Sequence, residues 1–203
     1  MTPKPLLHPA VKEPTIPGMS RSTHALLLSI VLLITAIISI VHAASPSALE
    51  THEIFVAQTA REMIEHDQHL VPMFGEVPRL KKPPVMYWAV DAVACIAGRP
   101  DVPEWVARLP SALATIVLVA IAGAIGTVVY ERSTGVLAAA MAGLSLGSFE
   151  YGASARPEML YSATTALTVL CFVLAWSRRR MIDAPRARFA SGDWWALAGW
   201  ASF

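Results

Sequence analysis

The chain has 203 residues, of which 55% are hydrophobic and only 15% charged, with a formal net charge of +1 and a mean hydropathy of +0.51. Soluble domains carry about 25% charged residues, so this shortfall, together with long uncharged runs, excludes an ordinary soluble domain and points to an integral membrane protein. The sequence has no extended basic tract and no basic patch interleaved with aromatics, so nucleic acid is not an expected partner.

Residues 1–24 are rich in proline, carry Lys4, Lys12 and Arg21, and lack periodicity. They read as a disordered cytoplasmic tail. Residues 25–44 hold no formal charge. That length crosses a hydrocarbon core of about 30 Å at about 1.5 Å per residue, which predicts transmembrane helix 1. The competing reading is a cleaved signal peptide ending near Val41-His42-Ala43, although signal cores run only about 7–15 residues. Ser45-Pro46-Ser47 breaks the run. Ser47 with Glu50 fits a capping box, and Ser45 before Pro46 is a competing cap.

An amphipathic helix is predicted over residues 50–65, suited to the membrane surface. Leu49, Glu53, Val56, Ala60 and Ile64 share one stripe, a costly place for the Glu53 carboxylate. Arg61 is placed for an i,i+4 pair with Glu65. Residues 66–84 form a polar connection with Pro72, Gly75, Pro78 and the turn Lys81-Lys82-Pro83-Pro84, and His66 and His69 read as solvated loop residues. Residues 85–97 read as an apolar helix interrupted by Asp91, too short to span and therefore interfacial or re-entrant. Tyr87 and Trp88 suit its membrane–water boundary. Asp91 is either a functional acid at membrane depth or a carboxylate on an exposed face.

Further spans are predicted at 111–130, 135–149 and 159–176, with Arg108-Leu109-Pro110 fixing the start of the first of them. Gly143-x-x-x-Gly147 allows close helix approach. A basic loop, residues 177–193, and the start of a further span at 194–203 close the sequence. Cys95 and Cys171 lie in apolar runs without a CxxC or Cys/His neighbour, and read as packing residues. With four alternating spans, Lys4, Lys12, Arg21, Arg132 and Arg178-Arg179-Arg180 fall on one side, which the positive-inside rule makes cytoplasmic. Residues 45–110 and 150–158 then share the outer face. The expected fold is an all-α integral membrane protein, a multi-span bundle with amphipathic interfacial helices in its first outer loop.

Several ordered motifs occur together: Glu53, residues 57–63 ending Ala-Arg-Glu-Met, residues 70–88 with Pro-Arg-Leu-Lys-Lys-Pro-Pro-Val-Met-Tyr-Trp, residues 105–110, and Arg156-Pro157-Glu158. Over about residues 50–176 the chain resembles the membrane glycosyltransferases that take sugars from polyprenyl-phosphate donors. These include the lipid A aminoarabinose transferases and the protein O-mannosyltransferases. The resemblance implies a GT-C-like helical bundle in the cell inner membrane, with its active site in the first extracytoplasmic loop. It implies inverting transfer from a polyprenyl-phosphate-linked sugar to a lipid or protein acceptor.

Such chemistry needs a carboxylate to orient or deprotonate the acceptor and cations to offset charge on the departing phosphate. By resemblance, Glu53, Glu158 and Glu50 are the catalytic carboxylates, while Lys82, Lys81 and Arg156 face the donor phosphate. His52, Tyr87 and Trp88 line the substrate. The family's Asp-Glu pair stands here as His52-Glu53, and Lys81 stands where the aminoarabinose transferases carry Glu. No metal-ligand set is read, no cofactor is expected, and dependence on a divalent ion stays open. On this reading Glu53→Gln abolishes transfer and leaves membrane insertion intact.

The competing function is a non-catalytic, truncated or degenerate multi-span protein, to which His52 and the stop at Phe203 lend weight. A transporter would place charges within the long runs, and those runs have none.

Overall fold

The structure, a computed structural model, describes residues 18–75 and 77–181. The first 17 residues of the expected tail, the basic loop beyond residue 181 and the further span at 194–203 lie outside the described residues. Within them the chain is an all-α membrane protein with one short hairpin. The helices are α1 (Arg21–Ala43), α2 (Thr51–Glu65), α3 (Val85–Ala97), α4 (Glu104–Val129), α5 (Arg132–Gly143), α6 (Leu146–Tyr151) and α7 (Glu158–Met181). The hairpin pairs β1 (Met73–Phe74) with β2 (Val77–Pro78).

Among the described residues three helices are long and apolar enough to cross a membrane: Arg21–Ala43, Glu104–Val129 and Glu158–Arg178. The first begins four residues before the uncharged run, because Ser20 caps it by accepting the Thr23 N–H at 3.1 Å. Its Leu26, Leu33, Ile37 and Val41 stay exposed, an apolar surface that only lipid or another helix suits. The second begins at Glu104 rather than after Pro110. Pro110 sits inside the helix, where it removes one backbone bond without ending the helix.

The run 135–149, read as one span, is two helices. Ser145 caps α6 by accepting the Ser148 N–H at 3.2 Å, and Ser148 Oγ donates to the Ala142 carbonyl at 2.7 Å. These local bonds compete with the helix ladder and break it at Leu144 and Ser145. Together α5 and α6 still run the length of α1. Arg132 Nη1 donates to the Met19 carbonyl at one end (3.0 Å), and the Phe149 ring lies 5.3 Å from His42 at the other. The α4 helix runs the opposite way, with Thr127 3.2 Å from His24 and Arg108 against Ser45 and Ser47. The broken pair α5–α6 thus lies alongside the long helices α1 and α4, but only α1, α4 and α7 are long and apolar enough to cross a membrane among the described residues.

The close approach comes from Gly135 and Gly143. A Cβ at Gly135 would collide with Thr127 Oγ1 and sit 2.7 Å from the Gly123 carbonyl, and one at Gly143 would sit 2.7 Å from Thr35 Oγ1. Gly147, the second glycine of the motif read from sequence, meets nothing within 4 Å.

At the end of the bundle where α4 begins, α2 and α3 pack on each other and on α4. Ala60, Val90 and Val106 are fully buried at the centre of this layer. Pro84 precedes α3, and Gly98, at φ 64°, ends it in the left-handed conformation that favours glycine. The hairpin docks on α2 through Phe55 and Phe74, whose ring centroids lie 5.1 Å apart. The Arg79 guanidinium sits 4.4 Å over the Phe55 ring while its Nε donates to Tyr87 Oη at 3.0 Å. His69 Nδ1 lies 2.6 Å from Asp91 Oδ2, and Trp88 Nε1 donates to the His69 carbonyl at 2.6 Å. His69 is exposed, as read from sequence, and also clasps the loop to α3. Arg61 turns away from Glu65 and donates to the Asp101 carbonyl from Nε at 3.0 Å and Nη2 at 2.5 Å.

Candidate functional site

The α2 helix starts one turn later than the Ser47 box predicts. Glu50 is its N-cap, and the Glu50 N–H donates to Glu53 Oε2 at 2.9 Å. Ser47 is unavailable because the strand of chain around it wraps a guanidinium. Arg108 Nη1 donates to Ser47 Oγ at 3.1 Å and to the Ser45 carbonyl at 3.2 Å. Arg108 Nη2 donates to the Ser47 carbonyl at 3.1 Å and the Ala48 carbonyl at 3.3 Å.

Arg108 spends its remaining capacity on Glu53. Nε reaches Oε1 at 3.0 Å and Nη2 reaches Oε2 at 3.0 Å, with both residues almost fully buried. Glu53 Oε1 also accepts the Ala155 N–H at 2.8 Å. A carboxylate has about four acceptor positions, and all four are taken. Burial pushes the Glu53 carboxyl up, but the Arg108 guanidinium and the Glu50 and Ala155 N–H groups outweigh it and hold the carboxyl below its ordinary range. The costly carboxylate on the apolar stripe is thus a clamp joining α2, α4, the 45–48 segment and the 153–157 loop.

Beside this clamp lies a cavity of about 480 Å³. Glu50, Arg156, Glu150 and Tyr151 stand around it, Glu53 and Arg108 form part of its wall, and His42 stands at one edge. Arg156 Nη2 donates to Glu50 Oε2 at 2.9 Å, its guanidinium lies 5.8 Å from the Tyr151 ring centroid, and its Nε is buried without a partner among the described residues. The Glu50 side chain is 71% exposed. Ser111 Oγ donates to the Arg156 carbonyl at 2.9 Å and ties this loop to α4. Two polar segments far apart in sequence meet here, through Glu50–Arg156 and Glu53–Ala155.

Of the residues read as catalytic, phosphate-binding or substrate-lining, Glu50, Glu53 and Arg156 come together at the cavity, and the others lie outside its lining. Tyr87 is buried in the α2–α3 core with its hydroxyl on Arg79, and Trp88 is tied to the His69 carbonyl. His52, Lys81 and Lys82 have exposed side chains. Glu158 opens α7, with Oε2 buried and without a hydrogen-bond partner among the described residues. Sequence reasoning missed His42, Glu150 and Tyr151, which only folding brings to the cavity. It assigned Arg108 to the start of a span but not to Glu53. Among the described residues no group of three His, Cys, Asp or Glu side chains is placed to hold a metal ion.

The family model for dolichyl-phosphate-mannose-protein mannosyltransferase matches residues 81–198, more than half of the chain. The match takes in the lysine turn, α3 to α7, Arg108 and the 150–158 loop, and leaves residues 49–80, with Glu50 and Glu53, outside it. No curated protein and no solved structure matches the chain. On a match of that extent, the chain belongs to the dolichyl-phosphate-mannose-protein mannosyltransferase family, membrane glycosyltransferases that draw on a polyprenyl-phosphate sugar donor.

Proposed function

We propose that the chain supplies the acceptor-activating site of an inverting glycosyl transfer on the extracytoplasmic face of the inner membrane. The observation that carries this reading is the pairing of Glu50 with Arg156 at the open cavity, beside a Glu53–Arg108 pair already saturated. The two glutamates divide the work. Glu53 holds the site together, and Glu50, open to solvent, takes the proton from the acceptor hydroxyl. The acceptor oxygen attacks the anomeric carbon from the face opposite the phosphate, the carbon–phosphate-oxygen bond breaks, and polyprenyl phosphate leaves with the bonding electrons. The exposed Lys81 and Lys82 offset its charge, while Arg156 holds the Glu50 carboxylate in place.

Glu158, two residues from Arg156 at the start of α7 and with Oε2 unbonded among the described residues, is a second carboxylate beside that loop. His52 and Trp88 offer exposed contacts to substrate, and Tyr87 supports the hairpin through Arg79. The orientation is supported by Arg21 and Arg132 at the end of the bundle away from the cavity, the arrangement of the positive-inside rule.

The test is transfer of labelled sugar from a polyprenyl-phosphate donor in membranes of cells whose own copy is deleted and replaced. Restoration with Glu50→Gln is expected to lower transfer by about 100-fold or more, in the range for losing a general base, with the protein level unchanged. Full transfer with Glu50→Gln would remove Glu50 from the chemistry, and failure of the unmutated chain to restore transfer would favour a non-catalytic scaffold.

A further inference from the structure

A second concavity, about 620 Å³, lies beside the exposed apolar face of α1 near its C-terminal end. Ile37, Ile38, Val41 and Pro46 line it, and its lining is almost wholly apolar. His42 belongs to both this groove and the charged cavity. An apolar trough on a candidate membrane span thus adjoins, at the His42 side chain, the polar cavity that holds Glu50 and Arg156. Phe149, 56% exposed, stands against His42 with ring centroids 5.3 Å apart and lines the charged cavity. A molecule fitting both spaces is an amphiphile, with its tail in the bilayer and its head in the cavity.

Charge selects among amphiphiles. The cavity carries Arg108 and Arg156 against Glu50, Glu53 and Glu150, one more negative charge than positive. Arg108 is fully engaged and Arg156 is paired. A phosphate head entering there would meet a lining one charge net negative and would have to draw Arg156 away from Glu50, whereas an uncharged hydroxyl-bearing head meets carboxylate acceptors and leaves that pair intact.

We propose that the groove and cavity together bind the acceptor, and that this acceptor is a membrane lipid with an uncharged hydroxylated head, its tail along Ile37, Ile38 and Val41. This rests on the reading of Glu50 as the group that activates the acceptor. The donor phosphate belongs elsewhere, at the lysine turn.

The test uses the full chain in nanodiscs of uncharged phospholipid and two probes with the same diazirine-bearing dodecyl tail, one an alkyl glucoside and one an alkyl phosphate. The glucoside is expected to label residues 37–46 about five-fold more than the phosphate, a preference on the order of 1 kcal/mol, and free glucose is expected not to compete. Val41→Trp fills the groove from an exposed position and is expected to abolish the preference, while Leu33→Trp, two turns away on the same lipid-facing side, is expected to leave it. Equal labelling by both probes, or a preference for the phosphate, would overturn the inference. So would Val41→Trp cells that lose labelling yet retain full transfer. If Glu50→Gln cells retain full transfer while glucoside labelling stays selective and sensitive to Val41→Trp, the catalytic reading falls and the lipid-binding groove stands.

Discussion

Two glutamates three residues apart, Glu50 and Glu53, begin the same helix and each pairs with an arginine, yet their surroundings differ almost completely. Glu53 is buried, shares four hydrogen bonds with three segments, and sits opposite a guanidinium that has no donor to spare. Glu50 projects into solvent with one arginine contact. A buried pair holds its partners because either charge alone is costly, whereas an exposed pair contributes about 0–1 kcal/mol and stays free to exchange partners. One turn of helix therefore separates a fastening from the glutamate proposed to take the acceptor proton.

Breaking the fastening is expected to have the largest effect on stability. Arg108→Met strands the Glu53 carboxylate and leaves the 45–48 carbonyls without their donor. A loss of about 3–5 kcal/mol is expected, read as a lowered unfolding midpoint in detergent. Next is Gly135→Ala, which forces α5 from α4 at the Thr127 contact. Overpacking of this kind costs about 1–3 kcal/mol, and the same assay would show it; an unchanged midpoint would mean the helices are not in close contact there.

Acidification probes the same fastening without mutation. The Glu53 carboxyl is held below its ordinary range, so its contribution is present above the unfolded carboxylate pKa and lost as pH falls through the lower folded value. Arg108→Met is expected to flatten that acid limb. The smallest effect concerns the His69 clasp. The hydrogen bond and charge of Asp91 raise the His69 pKa above its usual value, aided by Asp67. Its contribution is therefore full below the ordinary histidine range and lost as pH rises through the raised value. Hydrogen exchange over residues 66–72 is expected to speed up on that rise, and Asp91→Asn is expected to remove the dependence.

The long uncharged runs revealed the bundle, because composition and length alone decide which helices suit lipid. The break at Leu144 and Ser145 was not legible in them, since Ser145 and Ser148 act through bonds that hydropathy does not register. At the site, the Glu53 position was visible as a carboxylate on an apolar stripe. Its partner was obscured because Arg108 lies 55 residues away and reads equally well as the basic flank of a span. The capping register slipped by one turn for the same reason: Ser47 fits the box locally, and a distant arginine takes it. His42, Glu150 and Tyr151 have no local pattern, and only the antiparallel course of α1, α4 and α5–α6 brings them to one cavity.

The division between fastening and reactive group is tested most directly by comparing Glu50→Gln and Glu53→Gln in the same membranes, each scored for unfolding midpoint and for transfer from a polyprenyl-phosphate sugar. Glu50→Gln is expected to keep the midpoint and lose transfer. Glu53→Gln, which removes a buried charge partner and an acceptor, is expected to lower stability by about 1–3 kcal/mol. A Glu50→Gln protein with full transfer, or a Glu53→Gln protein with an unchanged midpoint, would contradict the assignment.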